Sequence, residues 1–295
     1  MDIRGTRAIV TGGAGGIGSA LGAALAQRGA HVVLADIDPG VAAVAEGIGA
    51  GSFTGDTATS EGIAALLDSA REQLGGIDAY FANAGIMGPR GIGEDEADWD
   101  RIFETNVRAH IRAAKALLPE WTERGSGCFV TTASAAGLLT QLGQAGYSVT
   151  KHAAVGFAEW LSITYGDAGV QVTCLCPMAV DTAMLQAGAQ AADPVDRAAA
   201  AAVTSAGAVL APAEVAECVL AAVEAGQFLA LPHPEVLEMY RMKGSDYDRW
   251  LRGMRRYQRQ LLTAAQAGER GCDPTRRGTA GQPRRRQPSA SETKE

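Results

Sequence analysis

Tyr147 and Lys151 stand four residues apart, and Ser134 precedes the tyrosine by thirteen. On a helix, a spacing of four puts two side chains on one face. A phenol with a pKa of about 10 is a poor base at neutral pH. A neighbouring ammonium is expected to stabilise the phenolate and lower that value. Such a tyrosine can take an alcohol's proton as hydride leaves the carbon, or return a proton in the reverse direction. Ser134, at the carboxyl end of a strand, can donate a hydrogen bond to the substrate oxygen. A Tyr-x-x-x-Lys pair by itself recurs in many helices. Its weight here comes from the serine upstream and from a glycine-rich turn near the chain start.

That turn is Thr11-Gly12-Gly13-Ala14-Gly15-Gly16-Ile17-Gly18, directly after the apolar run Ala8-Ile9-Val10. Glycines allow a tight turn and close backbone approach to phosphate, and the helix that follows aims free N–H groups and the positive end of its dipole at the anion. The context of strand, turn and helix is what separates a dinucleotide site from an ordinary glycine turn. Asp36 ends the next strand, eighteen residues after Gly18. A carboxylate there accepts hydrogen bonds from ribose hydroxyls and repels a 2′-phosphate. No Arg or Lys lies between Arg28 and Arg71 to offset it, so NAD is expected over NADP.

The elements that must position these residues alternate between strand and helix. Strands are predicted at Arg7–Val10, His31–Leu34, Ser52–Thr54, Asp78–Phe81, Cys128–Thr132, Val170–Cys176 and Phe228–Leu231. Helices are predicted over 16–28, 41–48, 60–74 (capped by Ser60), 98–118, 147–165 with Val155, Trp160 and Ile163 inward, and 212–225. This alternation predicts an α/β fold: a doubly wound, Rossmann-type parallel sheet in three layers, with a helical extension at the C-terminal end. The expected division is a catalytic domain over 1–235 with a lid at 181–212, a helical extension over 236–264 and a basic, disordered tail over 265–295.

With these motifs in place, the chain resembles the classical short-chain dehydrogenases and reductases over roughly residues 3 to 235. Thr11 to Gly18 fits the family's Thr-Gly-x-x-x-Gly-x-Gly turn, and Asn83-Ala84-Gly85 fits its Asn-Ala-Gly loop. The resemblance implies a catalytic tetrad of Asn106, Ser134, Tyr147 and Lys151, with Asn106 holding a water that links the lysine to a proton relay. It implies cofactor contacts at Gly12, Gly15, Gly16, Ile17 and Gly18, at Asp36 and Ile37, and at Asp56 and Thr57 beside adenine. Further contacts are implied at Asn83, Ala84 and Gly85, at Tyr147 and Lys151, and at Pro177, Val180 and Thr182 beside the nicotinamide. Two positions depart from the pattern. Ala82 replaces the usual first asparagine of the loop, and Met178 replaces the glycine after Pro177. The resemblance also implies a homotetramer or dimer, with the helices around Asn106 and Tyr147 at the interface.

The segment between Asp181 and Pro212 is dominated by alanine, with Met184, Leu185, Val195 and Val203. An apolar lid suits a hydrophobic alcohol or ketone; the alternative is that these residues only pack on the sheet. Gln141, Leu142, Gln144, Met178, Met184 and Leu185 are expected to line the substrate pocket. From Pro234 to Leu262, apolar residues recur at near-helical spacing with arginines between them. That pattern predicts an amphipathic helix packed on the body, on a neighbouring subunit or over the site. Asp246 and Asp248 argue against a membrane surface.

Composition bounds the alternatives. Hydrophobic residues make up 47% and aromatics only 5%, which favours closely packed helices on a sheet over an aromatic-rich sandwich. The net charge is −7, giving no reason to expect nucleic-acid binding. Charge is unevenly placed: residues 1–240 carry net −15 and residues 241–295 net +8. The basic end is a solvated extension or a docking arm for an acidic partner. Five cysteines at irregular spacing suggest reduced thiols and no metal site. Met1-Asp2-Ile3-Arg4 lacks the apolar stretch of a secretory signal, so a soluble, cytoplasmic protein is expected. Two further readings stay open: a carbonyl reductase working mainly in the reductive direction, and a non-catalytic nucleotide-binding regulator.

Overall fold

A computed structural model describes residues 1–93 and 95–271, with side chains described as far as residue 266. Seven strands, β1 (Arg7–Thr11), β2 (His31–Asp36), β3 (Gly51–Thr54), β4 (Ala79–Ala82), β5 (Gly127–Thr132), β6 (Val170–Leu175) and β7 (Leu229–Ala230), form one sheet. Their order is β3-β2-β1-β4-β5-β6-β7, and every pairing is parallel. The strand order reverses between β1 and β4, which opens a crevice at the carboxyl ends of those two strands.

Helices cover both faces: α1 (Gly16–Gln27), α2 (Val41–Gly47), α3 (Ser60–Leu74), α4 (Glu96–Phe103), α5 (Ala109–Arg124), α6 (Ala136–Leu139), α7 (Ala145–Tyr165), α8 (Ala183–Ala189), α9 (Pro194–Thr204), α10 (Pro212–Glu224), α11 (Glu235–Ser245) and α12 (Tyr247–Gly271). Residues that alternate along each strand feed two cores. Ile9, Val33, Phe129 and Val172 meet α3, α5 and α7 on one face. Ala8, Val10, Val32 and Leu34 meet α1 and α10 on the other. Continuous apolar strands follow from this burial on both sides. The expected three-layer, Rossmann-type architecture is present.

Several local expectations are corrected. The single helix expected over 98–118 is two helices, α4 and α5, joined by a π turn over Glu104–Arg108. Such an extra residue leaves no periodicity signal, because the flanking helical spacing continues on either side. Thr59, not Ser60, caps α3, its hydroxyl accepting from the Gly62 N–H at 3.0 Å. Trp160 and Ile163 face outward, 51% and 84% exposed. The inward stripe of α7 is built from smaller residues, among them Ser148, Lys151, Ala154, Val155 and Ala158, so α7 lies close to the sheet. The C-terminal extension is two helices that break at Asp246, and α12 runs to Gly271, past the expected end at 264. Cys272 and the rest of the expected disordered tail lie outside the described residues.

Candidate active site

The glycine turn leaves β1 and enters α1 at the sheet's crevice. Gly12 has φ 68°, a left-handed backbone that favours glycine. At Gly18 a Cβ would sit 2.0 Å from the Gly12 carbonyl oxygen, so no side chain fits without opening the turn. Helix α1 starts at Gly15 with no side-chain cap, which leaves the N–H groups of its first turn for an anion. Thr11 and Asn83 brace the cradle from below. The Thr11 hydroxyl accepts from the N–H groups of Asn83 and Ala84 at 3.0 and 3.1 Å. The Asn83 amide donates to the Thr11 carbonyl at 2.9 Å and accepts from the Thr132 hydroxyl at 3.1 Å, so one side chain ties β1, β4 and β5 together.

Asp36 sits at the end of β2 beside this turn. Its two carboxylate oxygens accept from the N–H groups of Ala14 and Asp38, both at 3.0 Å. These contacts fix the carboxylate and leave lone pairs for ribose hydroxyls. Ile37 is 70% exposed, an apolar surface next to that acid. Asp56 accepts from the Ala58 N–H at 2.9 Å, and Thr57 is buried behind it. Across the crevice, the Thr182 methyl would lie 2.9 Å from a Cβ on Gly16, so the root of the lid touches the glycine turn. Val180 is buried, and the Pro177 carbonyl accepts from the Ala135 N–H at 2.8 Å. The free helix N-terminus, the glycine cradle that Cβ atoms would fill and the fixed Asp36 carboxylate together suit a dinucleotide.

Ser134, Tyr147 and Lys151 meet at the carboxyl ends of β4 and β5. The Lys151 ammonium is 3% exposed, lies 5.6 Å from the centre of the Tyr147 ring and donates to the Thr132 carbonyl at 2.9 Å. Burial pushes its pKa down to about 8. Ser134 accepts from the Ala136 N–H at 3.1 Å, which orients its hydroxyl. Burial raises the Tyr147 pKa, and the hydrogen bond from Ser134 opposes that rise without cancelling it. The expected lowering of the phenol is therefore corrected: removing a phenolate from water outweighs its stabilisation here, and the cation beside it is itself weakened by burial.

Asn106 sits inside the π turn, fully buried. Its amide exchanges two hydrogen bonds with the backbone of Ile86, both 2.9 Å, and donates to the Thr150 hydroxyl at 3.1 Å. Its side chain thus pins the loop after Gly85 to α7. Gly85 lies close to the Asn106 oxygen and the Lys151 nitrogen; a Cβ there would stand 3.3 Å from each.

The segment 181–212, expected to be a lid, carries α8 and α9. Met184 is exposed and Leu185 half-buried on α8. Gln141 does not point freely into a pocket: its amide donates to the Ala199 carbonyl of α9 at 3.1 Å, tying the segment before Tyr147 to the lid. The amide oxygen of Gln144 is buried and has no protein partner. Val195, Ala198 and Ala199 of α9 border a cavity of about 40 Å3 with Leu142, Leu261 and Leu262. A larger groove of about 710 Å3 runs past Ile92, Trp99 and Phe103 of the α4 region and includes none of Asn106, Ser134, Tyr147 and Lys151.

Three features escaped sequence reasoning. His233, 1% exposed, accepts from the Met178 N–H at 3.2 Å and donates to the Ala208 carbonyl at 3.1 Å, which fixes its tautomer and the backbone at the nonstandard Met178. Arg90, in the loop after β4, pairs with Asp193 and, at 3.6 Å, with Asp196 at the start of α9. Helix α12 packs on α9, where the Tyr257 hydroxyl bonds the Ser205 hydroxyl at 2.7 Å and the Ala202 carbonyl at 3.0 Å. The aromatic-and-arginine pattern of 234–262 marked this helix, but not its partner.

Among the described residues, no group of three or more His, Cys, Asp or Glu could hold a metal ion, and no helix is long and apolar enough to cross a membrane. Cys128, Cys174 and Cys176 are buried free thiols, and Cys218 is a partly exposed one.

The short chain dehydrogenase family model matches residues 6–193. The chain is 38% identical over 196 residues to 1-deoxy-11-beta-hydroxypentalenate dehydrogenase of Streptomyces exfoliatus, covering 63% of this chain and 71% of that one. It is 33% identical over 220 residues to cis-4-hydroxycyclohexanecarboxylate dehydrogenase of Sinomonas cyclohexanicum, covering 72% and 86%. Among solved structures, a short chain dehydrogenase/reductase from Burkholderia phymatum in complex with NAD superposes with a TM-score of 0.75 at 28% identity, over 84% of this chain and 96% of that one.

Proposed function

The chain belongs to the short-chain dehydrogenase family, and from that premise we propose that it moves hydride reversibly between NAD and a hydrophobic secondary alcohol or its ketone, with Tyr147 as the proton-transfer group. It is an oxidoreductase of hydroxyl and carbonyl groups. The observation that carries the finer reading is the meeting of Ser134, Tyr147 and Lys151 beside the glycine cradle. A nicotinamide dinucleotide held there supplies the hydride acceptor or donor. The Ser134 hydroxyl orients the substrate oxygen against the phenol, and Tyr147 takes or returns that oxygen's proton. Lys151 keeps N–H donors beyond its bond to Thr132, and these can hold ribose hydroxyls. Pocket contacts from Gln144, Met178, Met184 and Leu185 belong to the same reading.

The apolar, alanine-rich lid supports a hydrophobic substrate, and the two relatives named above act, by their names, on alicyclic hydroxy acids. The protonated state that burial favours at Tyr147 supports the second reading, ketone reduction, since that direction needs a proton donor. Both are tested by following the reduced-nicotinamide absorbance band with a panel of secondary alcohols, cyclohexanol among them, and the matching ketones, each with NAD and with NADP. Turnover of at least one pair, faster with NAD, is expected; no turnover with any pair would remove the reading.

Asp36 supports NAD. Replacing it with alanine removes the charge that repels a 2′-phosphate, and the ratio of kcat/KM for NAD to that for NADP should fall by about tenfold, the equivalent of roughly 1.4 kcal/mol. An unchanged ratio would leave the cofactor assignment without a basis.

A homotetramer or dimer also belongs to this proposal. Ile111 of α5 and Val149, Trp160 and Ile163 of α7 are exposed apolar residues on the two helices that flank Asn106 and Tyr147. Apolar surface of this kind marks an interaction site. Ile163→Asp is expected to lower the mass measured by light scattering after gel filtration, and an unaltered mass would place the interface elsewhere. A cytoplasmic setting fits the free, buried thiols.

A further inference from the structure

Lys243, in the last turn of α11, is 6% exposed. Its ammonium donates to the Leu138 carbonyl of α6 at 2.6 Å, lies 3.5 Å from the His152 Nε2 on α7 and stands 5.4 Å from the centre of the Tyr247 ring. The Nδ1 of His152 lies 2.8 Å from the Ser148 carbonyl, so it carries the proton, and Nε2 presents its lone pair to the ammonium. No carboxylate is among these partners. Burying a cation is costly unless its N–H groups are met. Here the ones that are met join α11 to α6 and α7, the two helices that follow Ser134. Lys243 lies well beyond residues 6–193, the span of the family model.

What the ammonium holds is a strained segment. Helix α6 is a single turn, Ala136–Leu139, too short to be stable by itself. The carbonyls of such a last turn have no partner within the helix, and that of Leu138 is met by Lys243 instead. Thr140 follows directly with φ 82° and ψ 133°, and it is the one non-glycine residue with a positive φ among the described residues. For a β-branched residue this backbone is strained, and such strain persists only where the surroundings fix it. On the far side, the Gln141 N–H donates to the Ser148 hydroxyl at 2.9 Å. On the near side, α6 grips Ser134. The Ala136 N–H donates to the Ser134 hydroxyl at 3.1 Å, and the Gly137 N–H donates to the Ser134 carbonyl at 2.8 Å. A shift of α6 therefore moves the serine hydroxyl.

We infer that Lys243 is a positioning residue for Ser134: its ammonium, brought in by the C-terminal extension, pins the strained turn of α6 and Thr140 and so sets the serine hydroxyl against the substrate oxygen. The inference rests on the proposed function and goes beyond it by giving the extension a part in the reaction. The extension then acts through the backbone of α6, with no contact of its own to substrate or cofactor.

The test is a double-mutant cycle with Ser134→Ala, with NAD and the best alcohol of the panel above as probes. Lys243→Met keeps an unbranched side chain of similar length and removes its donors. A misplacement of about 1 Å can cost roughly 100-fold in rate, and partial loss of order at Ser134 should lower kcat/KM for the alcohol by about tenfold, with KM for NAD unchanged. In the Ser134→Ala background the same change should cost less than about twofold, because the hydroxyl that Lys243 positions is gone. Should the Met variant fail to fold, Lys243→Gln, whose amide stops a bond short of the Leu138 carbonyl, takes its place under the same expectations. Wild-type kcat/KM in the Lys243 variant would overturn the inference while leaving the functional reading intact. So would equal losses in the two backgrounds, which would mean general damage to the fold. Absence of turnover in the wild type would instead sink the functional reading, and this inference with it.

Discussion

Tyr147→Phe is expected to lower kcat by roughly 10²- to 10⁴-fold, the usual worth of a positioned acid or base. The change removes one oxygen and keeps the ring that lies 5.6 Å from the Lys151 nitrogen. The affinity for NAD, measured by quenching of intrinsic fluorescence, should stay within a factor of about two, because the glycine cradle and Asp36 are untouched. Full turnover in this variant would refute the assignment of the proton-transfer group.

The pH dependence of the wild type has a definite sign. Burial raises the phenol's pKa, so the protonated form persists through neutral pH. Ketone reduction needs that form, and its kcat/KM should be level through neutral pH and decline only under alkaline conditions. Alcohol oxidation needs the phenolate, so its kcat/KM should climb as the pH rises. Two parallel profiles would mean that another group handles the proton.

Gly18→Ala should have the other large effect, on cofactor binding. The new methyl would lie 2.0 Å from the Gly12 carbonyl oxygen, far inside contact distance, so the turn must open. Overpacking of this kind costs about 1–3 kcal/mol. For a domain of this size that corresponds to a Tm lower by roughly 2–10 °C. Opening the turn also pulls the N–H donors of α1 out of line with a bound pyrophosphate; a loss of about 2.7 kcal/mol would weaken NAD binding by roughly 100-fold in calorimetry. Gly15→Ala is the control. Its Cβ would meet the same oxygen at 3.4 Å, an ordinary contact, and its φ of −79° suits alanine. Equal NAD affinity in the two variants would show that the close approach at Gly18 is not what shapes the site.

The glycine turn, the Tyr147–Lys151 pair and the alternation of elements were legible because each is a local pattern with a local cause. Gly12 is glycine because its backbone is left-handed, and Tyr147 and Lys151 share a face because one helix carries both. The π turn at Asn106, the outward face of Trp160 and Ile163 and the bracing of Met178 by His233 were not legible. In each case the deciding contact comes from residues distant in the chain: Ile86 and Thr150 for Asn106, the sheet that selects the small-residue face of α7, and the segment after β7 for Met178.

By itself, the order of residues determined the parallel sheet, the anion cradle at the start of α1 and the acid that ends β2, since strand pairing, turn geometry and helix periodicity act over short spans. Only the tertiary structure decided the ionisation of the site. Burial, which no spacing encodes, raises the Tyr147 phenol and weakens the Lys151 cation. It also decided that α12 lies on α9, because an amphipathic pattern states that a helix has an apolar face and is silent on what that face will meet.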